Sequence, residues 1–248
     1  MGSRDPVTYE CEKCKDNGFV IVLENGVEVA VECECRQERI AKLRLKNSGI
    51  PQGMLSVGFR EFDCGGNPML ESARKKSMLY YQDFESIEYT RRNSLLLYGQ
   101  SGAGKTHLGM AVCNNLLSRR QVSVVYMAYR NAVTRIKQVT TDKEEYYREI
   151  GLYCDARLLY IDDLLKGRTT DADLNILYEI VNHRYMNNGP MVISTEKTPE
   201  QLIDFDEAIG GRILEMCKPY IVRLEGRKLN YRMYSGGGGG AYGESEEK

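Results

Sequence analysis

The chain has 248 residues, 42% of them hydrophobic, which is enough for one sizeable core and a small accessory module. Its 34 basic and 35 acidic side chains leave a formal charge of −1, so overall charge does not mark a nucleic-acid binder and any such surface has to be local. No apolar run approaches the roughly 20 residues of a membrane-spanning helix, and the first residues lack a secretory pattern, so a cytoplasmic protein with no membrane partner is expected.

Residues 1–6 (MGSRDP) read as vector-derived and are set aside. Residues 7–36 then hold Cys11, Cys14, Cys33 and Cys35 around two short apolar-rich runs, 19–23 and 27–31, joined through Asn25 and Gly26. Asn-Gly between such runs signals a β-hairpin. In a reducing compartment four clustered thiols point to metal ligation before disulfides. The C-x-x-C and C-x-C pairs supply a closed tetrahedral zinc set, and a hairpin this small needs such a ligand to fold. Free or redox-active thiols are the competing reading. Cys64, Cys113, Cys154 and Cys217 are scattered singly and read as inert.

Residues 37–69 are expected to be a basic helix, 37–47, with Ile40 and Leu43 near one face, followed by a linker. From about residue 70, strands at 94–98, 122–126, 158–161, 191–194 and 220–224 alternate with helices at 105–118, 174–187 and 207–216 and with helical sequence running to about 150. This alternation predicts an α/β domain, 70–234, with a five-stranded, mainly parallel sheet between helices. Residues 235–248, glycine-rich and then acidic, have nothing to bury and read as a flexible tail.

The sequence from Gly99 through Gln100, Ser101, Gly102, Ala103, Gly104, Lys105 and Thr106 matches G-x-x-x-x-G-K-[ST], with a strand before it and a helix after it. In such a P-loop the backbone N–H groups and the helix N-terminus surround the phosphates of ATP, the lysine neutralises the β/γ-phosphates, and the threonine offers a hydroxyl to Mg²⁺. Downstream, four apolar residues at 158–161 lead into Asp162 and Asp163. Asp162 is expected to hold magnesium, directly or through water, and Asp163 to orient or deprotonate the attacking water. A strand lies between the two motifs, as in the AAA+ and RecA-like branch of P-loop ATPases, which argues against a small-molecule kinase.

With these motifs in place, residues 9–232 resemble the bacterial and phage helicase loaders of the DnaC/DnaI type, and the ATPase part is similar to the IstB transposition ATPases. The resemblance rests on CEKCKDNGF at 11–19, ECECR at 32–36, GQSGAGKTH at 99–107, Asp162-Asp163, AIGGR at 208–212 and LNYR at 229–232. It implies an AAA+ fold without a helical lid and adds His107 to the nucleotide-binding stretch. It further implies an arginine finger at Arg212, inserted from a neighbouring subunit, and a sensor 2 arginine at Arg232. Sensor 1 falls at Thr195, with Glu196 beside it. Its partners would be a replicative hexameric helicase, reached through the cysteine module, single-stranded DNA, and further copies of the chain when ATP or DNA is bound.

Basic patches at Arg36, Arg39, Lys42, Arg44 and Lys46 and at Arg119, Arg120, Arg130, Arg135 and Lys137 could meet DNA. The stretch containing Tyr129, Arg130, Arg135, Lys137, Tyr146, Tyr147 and Arg148 combines cations with stacking rings; an ordinary amphipathic surface helix is the alternative. The function expected is ATP-dependent helicase loading in DNA replication. The alternatives are a transposition helper ATPase and a nucleotide-regulated DNA-binding scaffold.

Overall fold

The computed structural model describes residues 9–226 and Leu229. Asn230, Tyr231, Arg232 and the tail at 235–248 lie outside the described residues. The chain divides into two compact units, Met1–Asn47 and Ser48–Lys248.

In the first unit, β1 (Phe19–Glu24) pairs antiparallel with β2 (Val27–Glu32). The connecting Asn25 and Gly26 have φ of 51° and 83°, the left-handed pair that a two-residue hairpin turn demands. Helix α1 (Cys35–Asn47) follows at once. Its Arg39 donates to the carbonyl of Asp16 at 2.5 Å, and the Asp16 carboxylate accepts the N–H of Cys11 at 3.0 Å, which ties the helix to the cysteine turn. The basic helix is therefore part of this unit, where the sequence suggested part of a linker.

The second unit begins earlier than residue 70. Residues 48–67, read from sequence as linker, bury Ile50, Phe62 and Cys64 in the main core around a 3-10 turn, Gln52–Met54. Helix α2 (Pro68–Ile87) then starts on the Asn67 side chain, which accepts the N–H groups of Met69 and Leu70, with Pro68 in the first turn. After it come β3 (Leu95–Gly99), α3 (Lys105–Arg119), β4 (Val124–Ala128), α4 (Tyr129–Gln138), α5 (Lys143–Cys154), β5 (Leu158–Leu164), α6 (Asp171–Met186), β6 (Met191–Thr195), α7 (Pro199–Phe205), α8 (Glu207–Cys217) and β7 (Tyr220–Leu224).

The five strands of this unit lie in the order β4-β5-β6-β3-β7, and every pairing is parallel. Strand alternation splits the core between the two faces of the sheet. Leu95 and Leu97 of β3 pack with Tyr80 and Phe84 of α2 and Leu108 of α3, while Leu96 packs with Leu177 of α6 and Ile213 of α8. With both faces covered, the strands are almost wholly apolar until their carboxyl ends, and the polar residues concentrate along that edge. Among the described residues no helix is long and apolar enough to cross a membrane.

Candidate functional site

Strand β3 delivers the loop at 99–104. A Cβ on Gly99, whose φ is 138°, would stand 2.1 Å from the carbonyl oxygen of Leu224, so β7 packs against the backbone with no room for a side chain. Gly104, at φ 91°, presses against the Phe62 ring, which a Cβ there would approach to 2.6 Å. Phe62 also meets His107 edge-on at 5.3 Å, and His107 Nε2 lies 3.0 Å from the Gly58 carbonyl. Residues 48–67 thus help to shape the loop.

Helices α2, α5, α6, α7 and α8 begin with a side-chain cap, from Asn67, Asp142, Thr170, Thr198 and Asp206 respectively; α3, which begins with Gly104, and α4, with Ala128, have none. The first-turn N–H groups of α3 therefore keep no side-chain acceptor, which is the arrangement that receives a phosphate. Lys105 is buried, and its Nζ donates to the carbonyls of Gly99 at 2.9 Å and Gln100 at 2.7 Å. Burial lowers its pKa, while Glu196 and Asp163 act in the opposite sense. Gln100 Oε1 accepts the N–H of Gly226, Ala103 is buried, and Ser101 is exposed.

Asp162, buried near the carboxyl end of β5, collects four hydroxyl donors. Thr106 Oγ1 at 3.0 Å, Tyr160 OH at 2.8 Å and Ser194 Oγ at 2.5 Å reach Oδ1, and Tyr126 OH reaches Oδ2 at 2.9 Å. Burial, followed by the Asp162 charge, pushes both tyrosine hydroxyls well above their ordinary pKa, so they remain donors. The next residue turns away: Asp163 has φ 56° and, half-exposed, accepts Lys166 Nζ at 2.9 Å. Thr106 and Asp162 together offer two hard oxygen ligands side by side, a set suited to Mg²⁺ beside a phosphate.

Sequence reasoning missed Tyr126, Tyr160 and Ser194. Period-two counting could have found Tyr160, which shares a strand face with Asp162, and Tyr126 is its partner in register on β4. Thr195, the residue expected at sensor 1, is fully buried; its hydroxyl donates to the Leu164 carbonyl at 2.8 Å and accepts the N–H of Lys197. Glu196 instead reaches Lys166 at 3.6 Å.

Arg212 lies on α8, bonded to its own Ala208 carbonyl and flanked by the rings of Tyr178 and Tyr185 at 5.3 and 5.4 Å. Among the described residues these partners belong to α6 and α8. Much of the basic and aromatic stretch at 129–148 is engaged internally. Tyr129 is buried, Arg135 pairs with Glu149, Lys137 with Asp173 and Arg148 with Glu145, and Tyr146 donates to Glu179. Beside this stretch lies a cleft of about 200 Å³ whose walls include Arg130, Lys166 and Arg168 together with the paired Lys137 and Asp173; Lys166 and Arg168 were unforeseen from sequence.

In the first unit the sulfur atoms of Cys11, Cys14, Cys33 and Cys35 lie within 4.8 Å of one another. Cys11 is 3.8 Å from Cys33 and Cys14 is 3.4 Å from Cys35. Tetrahedral zinc with Zn–S bonds of about 2.3 Å requires sulfurs roughly 3.8 Å apart, so the four thiols fit that ion. All eight cysteines are free of disulfides; the other four lie apart in the second unit, where burial raises the thiol pKa of Cys113, Cys154 and Cys217.

The sequence profile described as the bacterial DnaA ATPase domain matches residues 80–216, more than half the chain. The chain belongs to this family. Protein XkdC of the phage-like element PBSX from Bacillus subtilis (strain 168) is 38% identical over 237 residues, covering 92% of this chain and 88% of XkdC. The chromosomal replication initiator DnaA of Mycoplasma capricolum is 28% identical over 148 residues, and there the chain spans about a third of the relative's length, 32%. The fold is that of the crystal structure of the DnaC helicase loader, with a TM-score of 0.60 at 16% identity, covering 70% of this chain and 99% of that one. The family and fold read from the sequence therefore hold: an AAA+ domain, of a nucleotide-binding family, with a five-stranded parallel sheet and a separate four-cysteine unit capable of holding zinc.

Proposed function

We propose that the protein is a helicase loader for DNA replication, an ATPase that delivers a hexameric replicative helicase onto single-stranded DNA. The observation that carries this reading is the joining, in one chain, of the P-loop and aspartate pair with a separate four-thiol hairpin unit. ATP would lie with its phosphates on the α3 N-terminus and Lys105, and Mg²⁺ between Thr106 and Asp162. Asp163, turned outward beside Lys166, would align the attacking water. Lys105→Ala should weaken ATP binding about tenfold to a hundredfold, the loss of charge-assisted contacts to phosphate.

In this reading Arg212 is supplied to the neighbouring subunit's ATP, where a finger in trans is typically worth roughly 10³ to 10⁵ in rate. The cleft lined by Arg130, Arg168, Lys166 and the Lys137–Asp173 pair would hold the DNA backbone chiefly through its two arginines, with Tyr147 an exposed stacking ring nearby in sequence. The hairpin unit would take the helicase. Affinity capture from host lysate with ATP and magnesium, followed by mass spectrometry, tests the whole: recovery of a replicative helicase, lost in a Cys33→Ser chain, is expected. Recovery of a transposase without helicase would replace this reading with that of a transposition ATPase.

A further inference from the structure

Strands β5 and β6 are not in uniform register. Ile161 pairs with Ile193 and Leu164 with Thr195, so two residues of β5, Asp162 and Asp163, stand opposite a single residue of β6, Ser194. This is a bulge in a parallel pair, a rarity, and bulges re-aim side chains beside active sites. Ser194 is fully buried, and its hydroxyl serves both members of the bulge: Oγ donates to Asp162 Oδ1 at 2.5 Å and accepts the N–H of Asp163 at 2.9 Å. That second bond fixes Asp163 at φ 56°, a conformation that residues with a side chain seldom adopt. Thr195, one residue on, alternates to the other face and bonds the Leu164 carbonyl.

We propose that Ser194 is the positioning residue of the aspartate pair, holding Asp162 inward toward Thr106 for the metal while locking Asp163 outward for the water. A serine hydroxyl has one proton to give and lone pairs to receive, so one side chain can hold the Asp162 carboxylate and the Asp163 backbone together. Alanine supplies neither bond. The inference rests on the ATPase reading above and adds a residue to its metal site.

The test is Ser194→Ala in the full chain, with Ser94→Ala as control. Ser94 is equally buried, and its hydroxyl accepts the N–H of Met191 where β6 begins, away from the aspartates. Binding of a fluorescent ATP analogue is measured with magnesium and with chelator, beside steady-state hydrolysis and thermal melting. For Ser194→Ala the chelator-state affinity should stay within about twofold of wild type. The tightening produced by magnesium, and kcat, should each fall about tenfold or more, as for a lost hydrogen bond to a carboxylate, with KM for the magnesium complex rising as its affinity falls. Ser94→Ala should lower the melting temperature and leave the magnesium effect alone. A Ser194→Ala chain with wild-type magnesium tightening and kcat overturns the inference and leaves the ATPase reading standing. So does one whose magnesium response falls no further than that of Ser94→Ala. A wild-type chain that binds no ATP analogue overturns both.

Discussion

Gly109 sits on α3 where a Cβ would come within 2.5 Å of the Tyr160 hydroxyl, and Tyr160 has no exposed surface through which to retreat. Alanine gains about 1 kcal/mol of helix propensity over glycine. Overpacking a buried ring typically costs about 1–3 kcal/mol, and here it also dislodges a donor to Asp162. Gly109→Ala should therefore melt below wild type despite the better helix former, and weaken magnesium-dependent nucleotide binding. A higher melting temperature would show that the ring can move aside. Arg184, fully buried, bonds the carbonyls of Tyr153, Cys154, Ala156 and Pro190, which fastens the end of α5 to the start of β6. Arg184→Met keeps the apolar stem but orphans the carbonyls of Tyr153, Cys154 and Ala156, while that of Pro190 keeps the N–H of Leu159, and should cost about 3 kcal/mol in a denaturant melt. None of this was legible in the chain. The P-loop lysine and the two aspartates announce themselves through spacing and chemistry. A serine, a tyrosine or a glycine becomes significant only when strands distant in sequence are brought alongside.

The elements that sequence read well are those with both a period and punctuation. The five strands are apolar runs ended by polar residues, and the hairpin has Asn25-Gly26 between its strands; helix α6, read as starting at 174, in fact starts at Asp171 on a Thr170–Asp173 capping box. Residues 48–67 carry no such period, because their burial comes from single anchors such as Ile50 and Phe62 set on α3 and the loop; hence they read as linker. The cysteine module was legible for the opposite reason: four thiols at metal-ligand spacing stand out in a sequence with little core to read. Its β1 face exposes Phe19, Ile21 and Leu23, too much apolar surface for a unit held by burial alone. One zinc per chain is expected by elemental analysis. Strong chelation or Cys33→Ser should abolish the ordered amide signals of β1 and β2 while the main melting transition persists. Ordered hairpin signals in a metal-free sample would remove zinc from the account.

At the scale of the whole molecule, the sheet order was implicit in the motif order. A strand between P-loop and aspartates in sequence, with β6 inserted between β3 and β5 in space, is one topology seen from two sides. What the chain could not disclose is whether Arg212 serves its own subunit, because that depends on surfaces contributed by a second copy. The proposal makes hydrolysis cooperative. Arg212→Ala, with an intact P-loop, and Lys105→Ala, with an intact finger, should each be inactive alone. Mixed, they should recover a measurable fraction of wild-type turnover, rising with protein concentration. Two variants that stay silent when mixed, or an Arg212→Ala chain with normal turnover, would remove the finger in trans.

The strand order also dictates when this protein can finish folding. Both hydrogen-bonding partners of β3, namely β6 and β7, are made long after it: Leu96 waits for Ile193 and Ile221. By contrast β4 and β5 can pair with each other as soon as β5 is made. During synthesis the strand bearing the P-loop is thus a bare apolar ribbon with two open edges, the kind of segment that aggregates or recruits chaperones. Sequence-distant pairing of this sort slows folding. The nucleotide site is consequently among the last features to mature on the ribosome, and a message truncated before β6 yields a chain with its signature motif in place and no sheet to hold it.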